Sequence, residues 1–370
     1  MEEDSKKNYE IQNNDIVKTI NIYNTKKAPE TRCYFSANYI EKIKSIVCIG
    51  GTNKNCELID IVTGYNIPKN NWKKYDESSE SFDHKITGHT ATVISDKSSE
   101  RIFVFGGFDE SNNYTTHAYF ISTLEMTPSQ IDFRKNKKGI AEYPPSRAYH
   151  TANYDKGTNS IYIYGGTDMN ISNSKKENFQ SVWEFSIDNL YWEKIVLSNP
   201  NKKGAPRGHI SIKKNRKLYI FGGVILFKKF TNSLFTIDLD KKFVENIEYS
   251  GATPQPVAFH SADLVNEKCF IIHGGLDQNY NPINDSYVFY FDTNQFTKIE
   301  IPLIPKLFGH KVICANNKVY IIGGMDNFKY VGDENLIYKP EKEGDEIFNN
   351  LEEELQFSPM DQIFEMELKI

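Results

Sequence analysis

Eight histidines and five cysteines are the side chains of this 370-residue sequence with the widest chemical reach. Five of the histidines, His89, His150, His209, His260 and His310, return at a steady interval. A histidine that recurs once per interval reads as hydrogen-bonding architecture, not as a base. His273 falls outside that series and reads as a core or rim histidine or, alternatively, as a ligand or base; His84 and His117 have no cluster around them. The cysteines (Cys33, Cys48, Cys56, Cys269, Cys314) are odd in number and irregularly spaced, with no C-x-x-C pair. That pattern fits free thiols in a reducing compartment. No cysteine accompanies a histidine motif, and G-x-S-x-G, H-E-x-x-H, an EF-hand loop and zinc-ligand spacing are all absent. No spacing selects a carboxylate pair. The sequence therefore predicts no catalytic residue, no metal and no cofactor.

The formal net charge of −5 gives no nucleic-acid footprint. No apolar run approaches the ~18 residues of a membrane span. The polar start Met1-Glu2-Glu3-Asp4 lacks an apolar signal segment, so a cytoplasmic location is expected.

The elements that must position these residues are marked by glycine. Six apolar segments end in Gly-Gly: Gly50-Gly51, Gly106-Gly107, Gly165-Gly166, Gly222-Gly223, Gly274-Gly275 and Gly323-Gly324. A strand-rich repeat of roughly 50 residues points to a propeller. No Gly-Lys-Ser/Thr follows, which argues against a phosphate-cradling loop. The third unit is the clearest. Arg147–Tyr154 reads as a first strand and Asp155–Asn159 as a turn. Ser160–Tyr164 is a continuous apolar run, as for a strand buried on both faces. After a polar loop, Ser181–Ile187 and Leu190–Ile195 make two further strands. Four short antiparallel strands form one blade. Aromatics recur in the third and fourth strands (Trp183 and Trp192, Phe235 and Phe243, Tyr287 and Phe296), where they would fill the space between blades; unit 1 keeps only Trp72 and unit 2 only Tyr119.

The apolar run before Gly-Gly, the later aromatics and the recurrent histidine together resemble the kelch repeat, over almost the whole chain. Unit 1 departs from it with Phe35-Ser36 in the histidine slot. The resemblance implies an all-β fold: a six-bladed β-propeller of four-stranded antiparallel blades, one domain over residues 1–370. The blades fall at about 32–78, 86–135, 147–197, 207–249, 257–302 and 307–370. The last would be completed by an N-terminal strand at 15–22, because Ile363–Leu368 matches a third strand and Val17–Ile20 a fourth. That pairing would close the ring. The alternative makes Glu334–Tyr338 the third strand and the C-terminal segment the fourth. An acidic insertion covers 325–359, and Ile347, Phe348, Leu351 and Leu355 would share one face of a short helix there, packed on the propeller or docking a partner.

Kelch-type propellers include copper radical oxidases, sugar isomerases and iron-binding specifier proteins, but none of their ligand sets is recognisable here. The resemblance implies instead a non-enzymatic scaffold or adaptor binding a partner protein: a small GTPase, actin or a polarity protein. A carbohydrate-processing or other small-molecule enzyme using the channel is the alternative. No BTB, F-box-like or kinase segment is expected beside the repeats. Candidate partner-binding residues lie in the dissimilar loops after the doublets: Asp109, Asn113 and Tyr114; Lys228 and Phe230; Asp277 and Tyr280; Asp326, Phe328 and Tyr330. They read equally as solvated turns fixed by Asp and Asn. Arg32, Arg147 and Arg207 precede first strands in comparable places. They would line the channel mouth to receive acidic groups, or pair with neighbouring blades.

Overall fold

The computed structural model describes residues 6–10, 16–25, 28–59, 62–75, 85–95, 100–168, 179–201, 204–225, 229–301, 303–326 and 362–369. Six sheets, antiparallel apart from the short parallel edge strand Ser250–Gly251 on the fifth, surround a central channel as the blades of a propeller. Blade 3 is representative. Thr151–Asp155 lines the channel, followed outward by Ser160–Tyr164, Val182–Ser186 and Tyr191–Ile195. Every residue of Ser160–Tyr164 is buried, as a strand with a neighbour on each face demands. The first strand begins four residues later than the sequence suggests, because Arg147–His150 leaves the sheet to contact the adjacent blades.

The cores lie between blades. Six apolar clusters each join the facing surfaces of two neighbours. Between blades 2 and 3, Phe103 stacks on Phe185 at 4.9 Å and Phe185 meets Trp192 at 4.9 Å. Trp192 is fully buried, and its truncation to alanine would cost about 3–5 kcal/mol. Phe243 departs from expectation: it is 39% exposed, and Val244, 3% exposed, takes the inward position of its strand. The one-residue offset turns the ring to solvent because strand side chains alternate.

The ring closes as the chain ends imply. Gln362–Leu368 pairs with Lys318–Ile322 on one side and with Val17–Asn24 on the other. A further strand, Lys6–Glu10, lies outside Val17–Asn24 and was not anticipated; it gives blade 6 five strands. Residues 327–361, including Glu334–Tyr338 and the expected helix, lie outside the described residues. One buried carboxylate fastens the seam. Glu365 accepts hydrogen bonds from Asn21 (2.8 Å), Tyr23 (3.2 Å), Lys318 (2.9 Å) and Tyr320 (2.9 Å). Burial alone would raise its pKa, but the bonds from Lys318, Asn21 and Tyr320 outweigh it and hold the carboxyl below its ordinary value.

Two outcomes are expected from this closure. Glu365→Ala, which leaves buried donors without their acceptor, should lower the unfolding free energy by about 3 kcal/mol in denaturant titration. Deleting residues 1–25 should lower the melting temperature further; an unchanged melting curve would contradict the closure.

Candidate functional site

Each inner strand is preceded by a short crossing segment, and these segments converge at one end of the channel. The middle residue of each crossing has a left-handed backbone: Tyr34, Gly88, Tyr149, Gly208, Phe259 and Gly309, with φ between 54° and 65°. That turn aims its N–H at one neighbouring blade and its C=O at the other. Tyr34 donates to Gly309, Gly309 to Phe259, Phe259 to Gly208, Gly208 to Tyr149, Tyr149 to Gly88 and Gly88 to Tyr34, at 2.7–3.0 Å. The six bonds form an unbroken circle.

Glycine and aromatic alternate around that circle, and sterics dictate the alternation. A Cβ on Gly208 would lie 2.8 Å from the Phe259 ring. The three rings meet at the axis edge to face: Tyr34–Tyr149 and Tyr34–Phe259 at 5.4 Å, Tyr149–Phe259 at 5.3 Å. They plug the channel. The signal was present in the residue just before each histidine slot, which reads Tyr, Gly, Tyr, Gly, Phe, Gly. Sequence reasoning missed it by treating the slots one at a time.

A second circle lies beside the first. The N–H of each second doublet glycine donates to a carbonyl of the next blade: Gly51 to Ile86, Gly107 to Arg147, Gly166 to Pro206, Gly223 to Val257, Gly275 to Leu307 and Gly324 to Arg32. Each recurrent histidine is clamped between doublets. A Cβ on Gly165 would lie 2.6 Å from His209 Cε1, and one on Gly166 would lie 2.8 Å from His150 Cβ. In blade 1 Phe35 occupies the same position, with Gly323 against its ring and Gly51 against its Cβ. The histidine Nε2 hydrogen-bonds with a hydroxyl of the preceding blade: Ser36 with His89 (2.9 Å), Thr90 with His150 (2.9 Å) and Thr151 with His209 (3.0 Å). Ile210 interrupts the series before His260. His273 stands where Phe105, Tyr164 and Phe221 stand in other blades, edge-on to the next histidine at 5.1 Å and bonded to Ser286 at 2.7 Å. It is a core residue.

Burial pushes His89, His209 and His260 down to about 3 and His273 down to about 4, and drives His150 and His310 well below their ordinary value. All six are neutral near pH 7.

The arginines are a correction. Arg32 and Arg147 are wholly buried. Arg32 donates to the Gly50 carbonyl (3.2 Å) and Arg147 to the Gly165 carbonyl (3.0 Å), each in its own blade. The first doublet glycine directs its C=O inward, and a long planar donor reaches it. Neither side chain is exposed to line the channel mouth. Arg207 is half-buried and exchanges backbone bonds with Val224.

The loops after the doublets surround the plug. Asp109 accepts the backbone N–H of Ser111 and Asn113 at 2.9 Å; Asp277 accepts those of Asn279 (2.8 Å) and Asn281 (2.9 Å). Asn53 does the same in blade 1 for Asn55 and Glu57. Asp109 and Asp277 thus fix turns, and Asn113 is exposed at the end of one. Tyr114 packs on Phe108 at 5.8 Å, and Phe108 on Tyr149 at 5.9 Å. Phe230 is 1% exposed and lies edge-on beneath Tyr280 at 5.2 Å, a floor for the loop instead of a protruding contact. The result is one apolar layer joining the plug to half-exposed Tyr114 and Tyr280. Asp326 is half-buried, which raises its pKa. Lys228, Phe328 and Tyr330 lie outside the described residues.

Below the plug the channel is a cavity of about 570 Å³ walled by the inner strands. Its carboxylate, Asp263, accepts the N–H groups of Cys314 (2.7 Å) and Leu264 (2.8 Å). Among the described residues no group of three His, Cys, Asp or Glu side chains is placed to hold a metal ion. No helix there is long and apolar enough to cross a membrane.

A family model described as the KLHDC2/KLHL20/DRC7 Kelch-repeats domain matches residues 36–198 and 88–324. Among curated proteins, the chain is 23% identical over 201 residues to the Rab9 effector protein with kelch motifs of Bos taurus, covering 51% of this chain and 52% of that protein. It is 23% identical over 259 residues to Kelch domain-containing protein 1 of Mus musculus, covering 62% of this chain and 61% of that protein. It is 24% identical over 209 residues to tip elongation aberrant protein 1 of Schizosaccharomyces pombe, covering 53% of this chain and 17% of that one. The chain thus spans less than two thirds of the length of these relatives.

The neutral histidines give a pH dependence. Their folded pKa values lie below the unfolded value of 6.5, so their contribution is fully present above that pH. It is lost as pH falls toward about 3. Unfolding free energy from denaturant titration should decline steeply between pH 6.5 and 4, and a flat profile over that range would contradict the assignment.

Proposed function

Because this chain belongs to the KLHDC2/KLHL20/DRC7 kelch-repeat family, we propose that it is a non-enzymatic interaction module that binds another protein through the loop face around the plug. The observation that carries this reading is the half-exposed pair Tyr114 and Tyr280, seated on one continuous apolar layer and held by turns that Asp109 and Asp277 fix. Aromatic side chains already ordered before contact lose little freedom on binding, and this favours them as anchors. Asn113, Asp326 and Arg207 would form the polar surround. The names of a Rab9 effector and of a tip elongation protein among the relatives support a small GTPase or polarity protein as the partner. Actin is a third class to test. The carboxylate of the channel, already committed to two backbone N–H groups, argues against an enzyme there. The free cysteines support a reducing, cytoplasmic setting.

Affinity purification of the wild-type chain from its native cell, beside the double variant Tyr114→Ala, Tyr280→Ala, tests the reading. The variant should remain folded at the assay temperature, with a melting transition only modestly lowered by the lost ring contacts, and bind the recovered partner at least about tenfold more weakly, a loss of ~1.4 kcal/mol. Undiminished binding would move the interface away from this face.

A further inference from the structure

The residue after each histidine slot forms the first layer of the channel below the plug: Ser36, Thr90, Thr151, Ile210, Ser261 and Lys311. Five are neutral, and Lys311 alone in this layer carries charge. Among the described residues no carboxylate lies within ion-pair distance of it; the other channel lysine, Lys213, by contrast, faces Asp155 at 3.5 Å. The groups acting on Lys311 do not neutralise it. Burial pushes the Cys48 thiol up to about 12, so it stays uncharged, and His89 is neutral. Arg32, which also acts on Cys48, adds a second positive charge nearby. The remaining acid of the walls, Asp263, is engaged by two backbone N–H groups.

A desolvated ammonium without a counter-charge is costly to maintain. Here it sits at the inner end of a cavity of about 570 Å³, a size suited to a small organic ligand. We propose that the channel is a blind binding site for a small anion-bearing molecule, a carboxylate or a phosphate, held by Lys311. The hydroxyl and amide walls from Ser36, Asn38, Thr92 and Asn153 supply polar contacts on one side, and Ile212, Val312 and Ile313 supply apolar ones on the other. Burial lowers the Lys311 ammonium to about 8, against the opposing influence of Cys48, and an anion beside it would restore the charge. The cavity lies below the plug, so this site stands or falls independently of the loop-face interface.

Competitive acylation of lysines near pH 8, read by mass spectrometry on the full chain, tests the site. Inorganic phosphate and, separately, acetate are titrated at constant ionic strength, with the exposed Lys241 as internal reference. Lys311 should be protected saturably by at least one anion, about tenfold when the anion is ten times its Kd, with Lys241 unchanged. Protection by one anion and not the other identifies the headgroup. Lys311→Met should also abolish any anion-dependent rise in melting temperature. Lack of protection by both anions, or equal protection of Lys241, would overturn the proposal; this labelling result decides even where the variant fails to fold.

Discussion

Each blade leaves two backbone N–H groups at this end of the ring to its neighbours: that of the crossing residue is accepted by the preceding blade's carbonyl, and that of the second doublet glycine by the next blade's. The rest of the propeller follows from this constraint. A buried amide without an acceptor costs about 1–3 kcal/mol, so no blade is content alone and the sixth must meet the first. Gly324 donating to Arg32, and Tyr34 to Gly309, complete the two circles across the seam. The pairing of Val17–Asn24 with Gln362–Leu368 holds that seam shut, with Glu365 inside it.

The same geometry explains why chemistry-bearing residues here do no chemistry. A doublet glycine leaves room for one flat ring. Histidine fills it in five blades, and at His150 and His209 the ring packs edge-on to an aromatic and shares a hydrogen bond with the preceding blade's hydroxyl. Burial then keeps the ring neutral. Where blade 1 has Phe35, the packing survives and the hydrogen bond does not form, which separates the two roles of the slot. The buried arginines serve the other polar group of the doublet, the first glycine's carbonyl.

The blades and their closure were legible because they depend on local patterns: continuous apolar runs such as Ser160–Tyr164, paired ring positions such as Phe185 and Trp192, and terminal segments that resemble complementary strands. Asp109 and Asp277 were legible as turn formers for the same reason. The plug was not, because Tyr34, Tyr149 and Phe259 are far apart in sequence and meet only through the ring's symmetry. The depth of Arg32 and Arg147 was hidden too. A cation before a strand looks the same in sequence whether it faces solvent or a buried carbonyl. Phe243 was misread by a single residue, which in a strand exchanges inside for outside.

The central claim is that the two backbone circles make the six blades one cooperative unit. Native-state hydrogen exchange of the amides of Gly51, Gly107, Gly166, Gly223, Gly275 and Gly324 tests it most directly. The account predicts that all six exchange with the same opening free energy, equal to that of global unfolding, and that weakening the seam lowers them together. Blade-by-blade exchange, with amides far from the seam keeping full protection when it is weakened, would contradict it.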